Sequence, residues 1–302
     1  MQQASATAPS CVSPERAGVV EFDIVRHHDG QASGARDEVA EEFPVALVYN
    51  GISHAVMMAT PRDLEEFAVG FSLTEGIVGC ASEIHDLEVC FAEDSAEVRL
   101  TIAQPAFLKL KERRRALAGR TGCGVCGIES IALLDLAPER ITRPLAPLAA
   151  GGAALGRAAR ELLRHQELMC RTGGVHAAAW CAADGAVLKV FEDVGRHNGM
   201  DKLIGHLALR RVAMQDGFVF LSSRASYELV RKAARMDIPL LATISAPTSL
   251  AINIARQAGM QLASFCRRDG FVDYTASPAR PPTPAPAPLA CVKPAAPPAP
   301  PR

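Results

Sequence analysis

Cys123 and Cys126 form the only C-x-x-C of the chain, set among glycines in "GRTGCGVCGIES". Three chemistries use such a pair. A structural zinc ion needs four nitrogen or sulfur ligands, usually two close pairs separated by ~12–20 residues. The next cysteine here is Cys170, and there is no second C-x-x-C, so the spacing speaks against zinc. A redox dithiol before a helix gains from a lowered thiol pKa, but no strand with an aromatic approach precedes this pair. A persulfide carrier needs an exposed, mobile thiolate near positive charge. Gly122, Gly124 and Gly127 supply mobility, and Arg120 with the helix expected from about Ile128 supplies charge. Cys123, flanked by glycines, is the more accessible thiol. On residue types alone the dithiol and the carrier stand side by side.

A second group of residues suggests ligand binding. Ser222, Ser223, Arg224 and Ser226 follow one apolar run, Ser245 and Thr248 follow the next, and Arg267 and Arg268 follow the third. The three runs, "GFVFL", "IPLLATI" and "MQLASF", are separated by the helical patterns "YELVRKAARM" and "LAINIARQAG". Such alternation predicts parallel strands with right-handed crossovers. The loops then emerge on one edge of the sheet, where open α/β folds bind ligands. Hydroxyls, arginines and helix N-termini on one edge favour an anion, most naturally phosphate. Helix capping is the alternative role for Ser226 and for Thr248 or Ser249, expected of at least one of them, but it does not explain the arginines. No dinucleotide glycine fingerprint or Walker lysine loop specifies the ligand further.

The elements that must position these groups fall into two halves. The first opens with "FPVALVYNGISHAVMMAT", a hairpin about Asn50-Gly51. Thr60, Pro61 and Asp63 read as the start of a helix, with Thr60 as its cap, ending near Gly76. A second hairpin is expected about Asp94-Ser95. The basic stretch "FLKLKERRRALAGR" reads as a solvated helix face, or as a docking surface for an acidic partner or anion. "PERITRPLAPLAAGG" reads as a linker. In the second half, "VHAAAWCAADGAVLKVF" makes two strands about Asp184-Gly185, and "DVGRHNGMDKLIGHLAL" makes a helix. His176 reads as a hydrogen-bonded core histidine. Asp193, His197 and Asp201 share one helix face, with Asp193 as its cap.

The resulting boundaries are a disordered segment over 1–42, a hairpin-and-helix subdomain over 43–120, the C-x-x-C loop with helix and linker over 121–150, and a mixed α/β subdomain over 151–276. The tail over 277–302 has 11 prolines in 26 residues and reads as disordered. The 302 residues carry 32 basic and 33 acidic side chains, so no global field points to nucleic acid or a membrane surface. With nine scattered cysteines, no signal-peptide pattern and no apolar run near ~20 residues, the expectation is a cytoplasmic protein in a reducing compartment.

Five blocks in order, "GFSLTEGI", "GRTGCGVCGIES", "HAAAW", "EDVGRHNGMDKL" and "SSRASYELV", resemble the FdhD family over about Phe43 to Thr275. These are sulfur carriers required for formate dehydrogenase activity. The resemblance implies that Cys123 receives a persulfide from a cysteine desulfurase, with Cys126 assisting. It implies transfer to the molybdenum bis(molybdopterin guanine dinucleotide) cofactor, bound as substrate, for the apo formate dehydrogenase. Its cofactor segment matches Phe265, Cys266, Arg267, Arg268, Asp269 and Gly270. Asp269 departs from the glycine-rich, basic turn of related chains. The resemblance also implies a homodimer and a cytidine-deaminase-like mixed sheet in the second half. The deaminase zinc site is not implied: "EDVGRHN" and "SSRAS" offer no cysteine ligands where that chemistry needs them, and no structural metal is expected. The alternatives to a carrier are a non-catalytic chaperone that binds the cofactor and a dithiol oxidoreductase.

Overall fold

Asp29 and Gly30 both hold left-handed backbone, with φ of 50° and 77°, and reverse the chain between two ten-residue strands. These are β1 (Val19–His28) and β2 (Gln31–Ala40), paired antiparallel. The computed structural model describes residues 16–116, 137–143, 152–267 and 270–276. The hairpin corrects the expectation of disorder over 1–42 for residues 19–40. Polar residues at nearly every second position hide the pattern, yet Asp-Gly is a strong hairpin turn. Arg171 clamps the hairpin to the body through both oxygens of Glu38, at 2.9 and 2.6 Å.

The next four strands are β3 (Phe43–Tyr49), β4 (Ile52–Ala59), β5 (Ile84–Phe91) and β6 (Ala96–Ile102), in the order β4-β3-β6-β5. Both expected hairpins form, the first through left-handed Asn50 and Gly51. One face buries Val45, Leu47, Tyr49, Val98 and Leu100 in the core. Helix α1 (Leu64–Thr74) lies between β4 and β5 in the chain, and α2 (Gln104–Ala116) follows β6 over the basic stretch.

A six-stranded sheet forms the second half, in the order β12-β11-β10-β9-β7-β8. Its members are β7 (His176–Ala182), β8 (Val187–Asp193), β9 (Gly217–Leu221), β10 (Leu240–Thr243), β11 (Gln261–Arg267) and β12 (Gly270–Asp273). β9, β10 and β11 are parallel, while β7 runs against both β8 and β9. This is the mixed sheet expected for this half, with the short β12 added at one edge. Helices α3 (Gly152–Leu162) and α4 (Glu167–Thr172) precede it. α5 (Arg196–Leu209), α6 (Tyr227–Arg235) and α7 (Ser249–Ala258) interleave with its strands. Side chains alternate between the two faces, as strand geometry requires. Trp180, Val219, Leu221 and Leu241 join the large core, while Ala179, Cys181, Phe218 and Phe220 pack with Leu155, Ala158 and Leu162 of α3.

The halves share the larger core and are pinned by buried charge. Thr60 does not cap α1, whose first cap position is Asp63. Instead its N–H donates to Asp193 Oδ2 at 3.0 Å, its hydroxyl accepts from Val194 N–H at 3.1 Å, and its carbonyl accepts from Lys202 Nζ at 3.0 Å. Asp193 is likewise not a cap but the buried partner of Lys202, at 2.7 Å. Asp201 accepts from Thr74 Oγ1 at 2.7 Å and pairs with Lys232 of α6 at 2.8 Å. So the block "EDVGRHNGMDKL" includes two of the buried links that join the halves.

Candidate functional site

Three loops leave the carboxyl ends of β9, β10 and β11 on one edge of the large sheet, and the backbone ties them together. Ala225 bridges Pro247 in parallel fashion, Thr248 N–H donates to Ala225 O at 3.0 Å, and Phe265 N–H donates to Ser245 O at 3.3 Å. Ser222, Ser223, Arg224, Ser245, Thr248, Phe265 and Arg267 therefore occupy one continuous edge. Most of the hydroxyls have local work. Ser222 Oγ accepts from Ala177 N–H at 2.8 Å, extending the pairing of β7 with β9. Ser223 is buried and donates to the Arg224 carbonyl at 3.2 Å. Thr248 caps α7, accepting from Ala251 N–H at 3.3 Å.

The arginines differ from the hydroxyls. Among the described residues neither the Arg224 nor the Arg267 guanidinium has an ion pair or hydrogen bond, and both residues are exposed. Elsewhere Arg157, Arg171 and Arg235 are each met by a carboxylate. Unpaired guanidinium groups on the ligand-binding edge of an α/β sheet suit an anion with several oxygens. Phe265 sits beside them with φ of 54°, left-handed backbone that a bulky residue adopts only under constraint, and the residue is 37% exposed. With Arg267, Gly270, Phe271 and Val272 it lines an open hollow of about 360 Å³. Cys266 points the other way, into the α3 side of the core, where burial pushes its thiol up to about 11. It can offer a ligand only its backbone. Gly270 is exposed at the start of β12. Arg268, Asp269, Cys123 and Cys126 lie outside the described residues.

The edge also holds residues that the loop reading did not include. β8 ends on the same side, so α5 begins there with Arg196 and His197. His197 Nε2 donates to Glu228 Oε2, in the first turn of α6, at 3.4 Å, with both side chains 24% exposed. That contact, ahead of smaller effects, holds the Glu228 carboxyl down at about 2. His176 is half-buried at the start of β7 and, among the described residues, its ring has no hydrogen bond, so it is not the side-chain-bonded core histidine expected. Burial first, then the nearby Arg196, pushes its pKa below the ordinary value. The signal for this group was the strand direction of β8, which places "GRHN" on the ligand edge. Among the described residues no three His, Cys, Asp or Glu side chains form a group that could hold a metal ion, and no helix is long and apolar enough to cross a membrane.

The model of the FdhD/NarQ family matches residues 40–280. A protein of Chromobacterium violaceum named sulfur carrier protein FdhD is 66% identical over 259 residues, covering 86% of this chain and 96% of that protein. A Burkholderia mallei protein of the same name is 62% identical over 266 residues, with the same coverage of each chain. Among solved structures, a candidate formate dehydrogenase accessory protein from Desulfotalea psychrophila superposes with a TM-score of 0.65 at 24% identity, over 85% of this chain and 97% of that one. With a family model spanning most of its length and relatives above 60% identity, the chain belongs to the FdhD/NarQ family.

Proposed function

We propose that this chain is a sulfur carrier for the maturation of formate dehydrogenase. Cys123 takes sulfur from a cysteine desulfurase and passes it to the molybdenum bis(guanine dinucleotide) cofactor, held at the carboxyl edge of the large sheet. The observation that carries this reading is 66% identity with a protein named as a sulfur carrier, over nearly all of that protein. The unpaired arginines and the constrained Phe265 ring support it, since they suit phosphates and a flat base respectively.

In the loading step the Cys123 thiolate attacks the terminal sulfur of the desulfurase persulfide. The S–S bond of the donor breaks, a new S–S bond forms on Cys123, and the donor leaves as its thiolate. One sulfane sulfur moves, and no outside oxidant or reductant is needed. Cys126 assists or resolves. A homodimer belongs to the same proposal: Val20, Phe22 and Val39 lie exposed on the β1–β2 hairpin, where a second copy would cover them.

Intact mass after incubation with a cysteine desulfurase and cysteine tests the reading. A carrier gains the mass of one sulfur, Cys123→Ala does not, and the variant no longer activates formate dehydrogenase. Activation retained by Cys123→Ala would instead fit a chaperone that only binds cofactor. A reversible Cys123–Cys126 disulfide without added sulfur would fit a dithiol oxidoreductase.

A further inference from the structure

We propose that Arg196, in the first turn of α5, is a diphosphate-binding residue of the cofactor edge. The inference rests on the cofactor-binding reading above and adds a contact outside the Phe265–Gly270 segment.

Arg196 is partly buried, and its Nε is sealed from solvent with no hydrogen-bond partner. Buried N–H groups almost always find an acceptor, and a buried charge left unmet costs more than a neutral group. Nearby carboxylates are already engaged. Asp193 accepts from Thr60 N–H, Gly195 N–H and Asn198 Nδ2 and pairs with Lys202. Glu228 is taken by His197. His176, which feels the Arg196 charge, and the adjacent His197 bring no negative charge. Among the described residues, Arg196 thus has a sealed Nε and no ion pair with an acid.

The helix ends add to this field. α5 and α6 start at Gly195 and Ser226, and neither receives a side-chain cap, whereas Thr248 caps α7. The first turn of α5 carries the positive end of its helix dipole to this edge, whereas at α6 the Glu228 carboxylate accepts from its own N–H. Arg196 follows β8, four strand positions from β11, but the His197–Glu228 contact sets the start of α5 against that of α6, which follows β9, two strand positions from β11 and its Phe265. That separation is roughly 10 Å by strand spacing. It suits a nucleoside diphosphate lying along the edge, with its base toward Phe265 and its phosphates toward Arg196.

Calorimetric titration of the full chain with GDP and with inorganic pyrophosphate tests the assignment. Wild type should bind both, and Arg196→Gln should weaken both by roughly tenfold or more, as loss of a charge-assisted hydrogen bond implies. Arg196→Lys keeps the charge without the fork and should fall between the two. Should Arg196→Gln fail to show native circular dichroism, the lysine variant decides alone: affinity equal to wild type would overturn the assignment. Equal affinity in wild type and a folded Arg196→Gln also overturns it, leaving cofactor binding elsewhere on the edge intact. Absence of any GDP or pyrophosphate binding by wild type would instead remove the cofactor-edge reading itself, and this inference with it.

Discussion

Gly70 of α1 and Gly205 of α5 face each other where the two helices cross, each packed against the other helix's backbone. A Cβ on Gly70 would fall within the carbonyl of Asp201, and one on Gly205 within that of Glu66, far closer than real Cβ atoms approach. The crossing brings Thr74 within reach of Asp201 and so sets the buried links between the halves.

Gly70→Ala should therefore destabilise the protein even though alanine is the better helix former. Overpacking outweighs the propensity gain, for a net loss of about 2 kcal/mol or more. Urea denaturation of Gly70→Ala, Gly205→Ala and the double variant checks this. The double should lose less than the sum, because one separation of the helices relieves both clashes.

Lys202→Met leaves Asp193 without its cation in a fully buried site. The expected cost is about 3–5 kcal/mol, read as a fall in denaturation midpoint. Lys232→Met should behave alike, since Asp201 and Glu75 both lose this cation.

Acid sensitivity should carry the signature of Glu228. Its carboxyl sits near 2 in the folded protein, against an ordinary 4.5, chiefly through the His197 contact. A lowered carboxylate pKa stabilises the fold above the ordinary value, and that contribution disappears as pH falls from about 4.5 toward about 2. Glu228→Gln should flatten the stability profile across that window and leave its shape above pH 5 nearly unchanged, as followed by denaturation at stepped pH.

Thiol accessibility should divide the described cysteines cleanly. Cys80 and Cys170 are exposed, whereas Cys90, Cys181 and Cys266 are buried, and burial pushes the thiols of Cys181 and Cys266 up. Brief iodoacetamide treatment of the native protein, read by peptide mass spectrometry, should label the first two and spare the other three. A Cys80→Ser/Cys170→Ser double variant should still accept sulfur from a desulfurase.

Phe265→Gly separates strain from binding. Glycine adopts φ of 54° freely, relieving a left-handed cost of ~1–2 kcal/mol while adding a similar entropic one. Stability should stay within about 1 kcal/mol of wild type, while GDP affinity falls and pyrophosphate affinity does not.

Local chemistry made much of this readable. Asn50-Gly51 and Asp184-Gly185 announce their turns, and the alternation from Gly217 to Arg267 announces parallel strands, because each signal is contained in a few neighbouring residues. Thr60 misleads for the opposite reason. Its setting before Pro61 and Asp63 is that of a helix cap, but its partners lie more than 130 residues away and win. Helix α3 was hidden because glycine and alanine dominate its start, although Leu155, Ala158, Ala159 and Leu162 recur at helical spacing. The rim hydroxyls were placed correctly along the edge, but sequence could not show that Ser222 and Ser223 serve the backbone. Arg196 and His197 needed the direction of β8, which depends on its antiparallel pairing with β7.

Thr60 spends its amide, its hydroxyl and its carbonyl on three different groups of the other half. No side chain other than serine keeps all three with comparable size. The halves are consequently not interchangeable modules. A chimera that joins the first half of one relative to the second half of another must carry the threonine together with the aspartate, lysine and strand end that read it, or the seam between them opens.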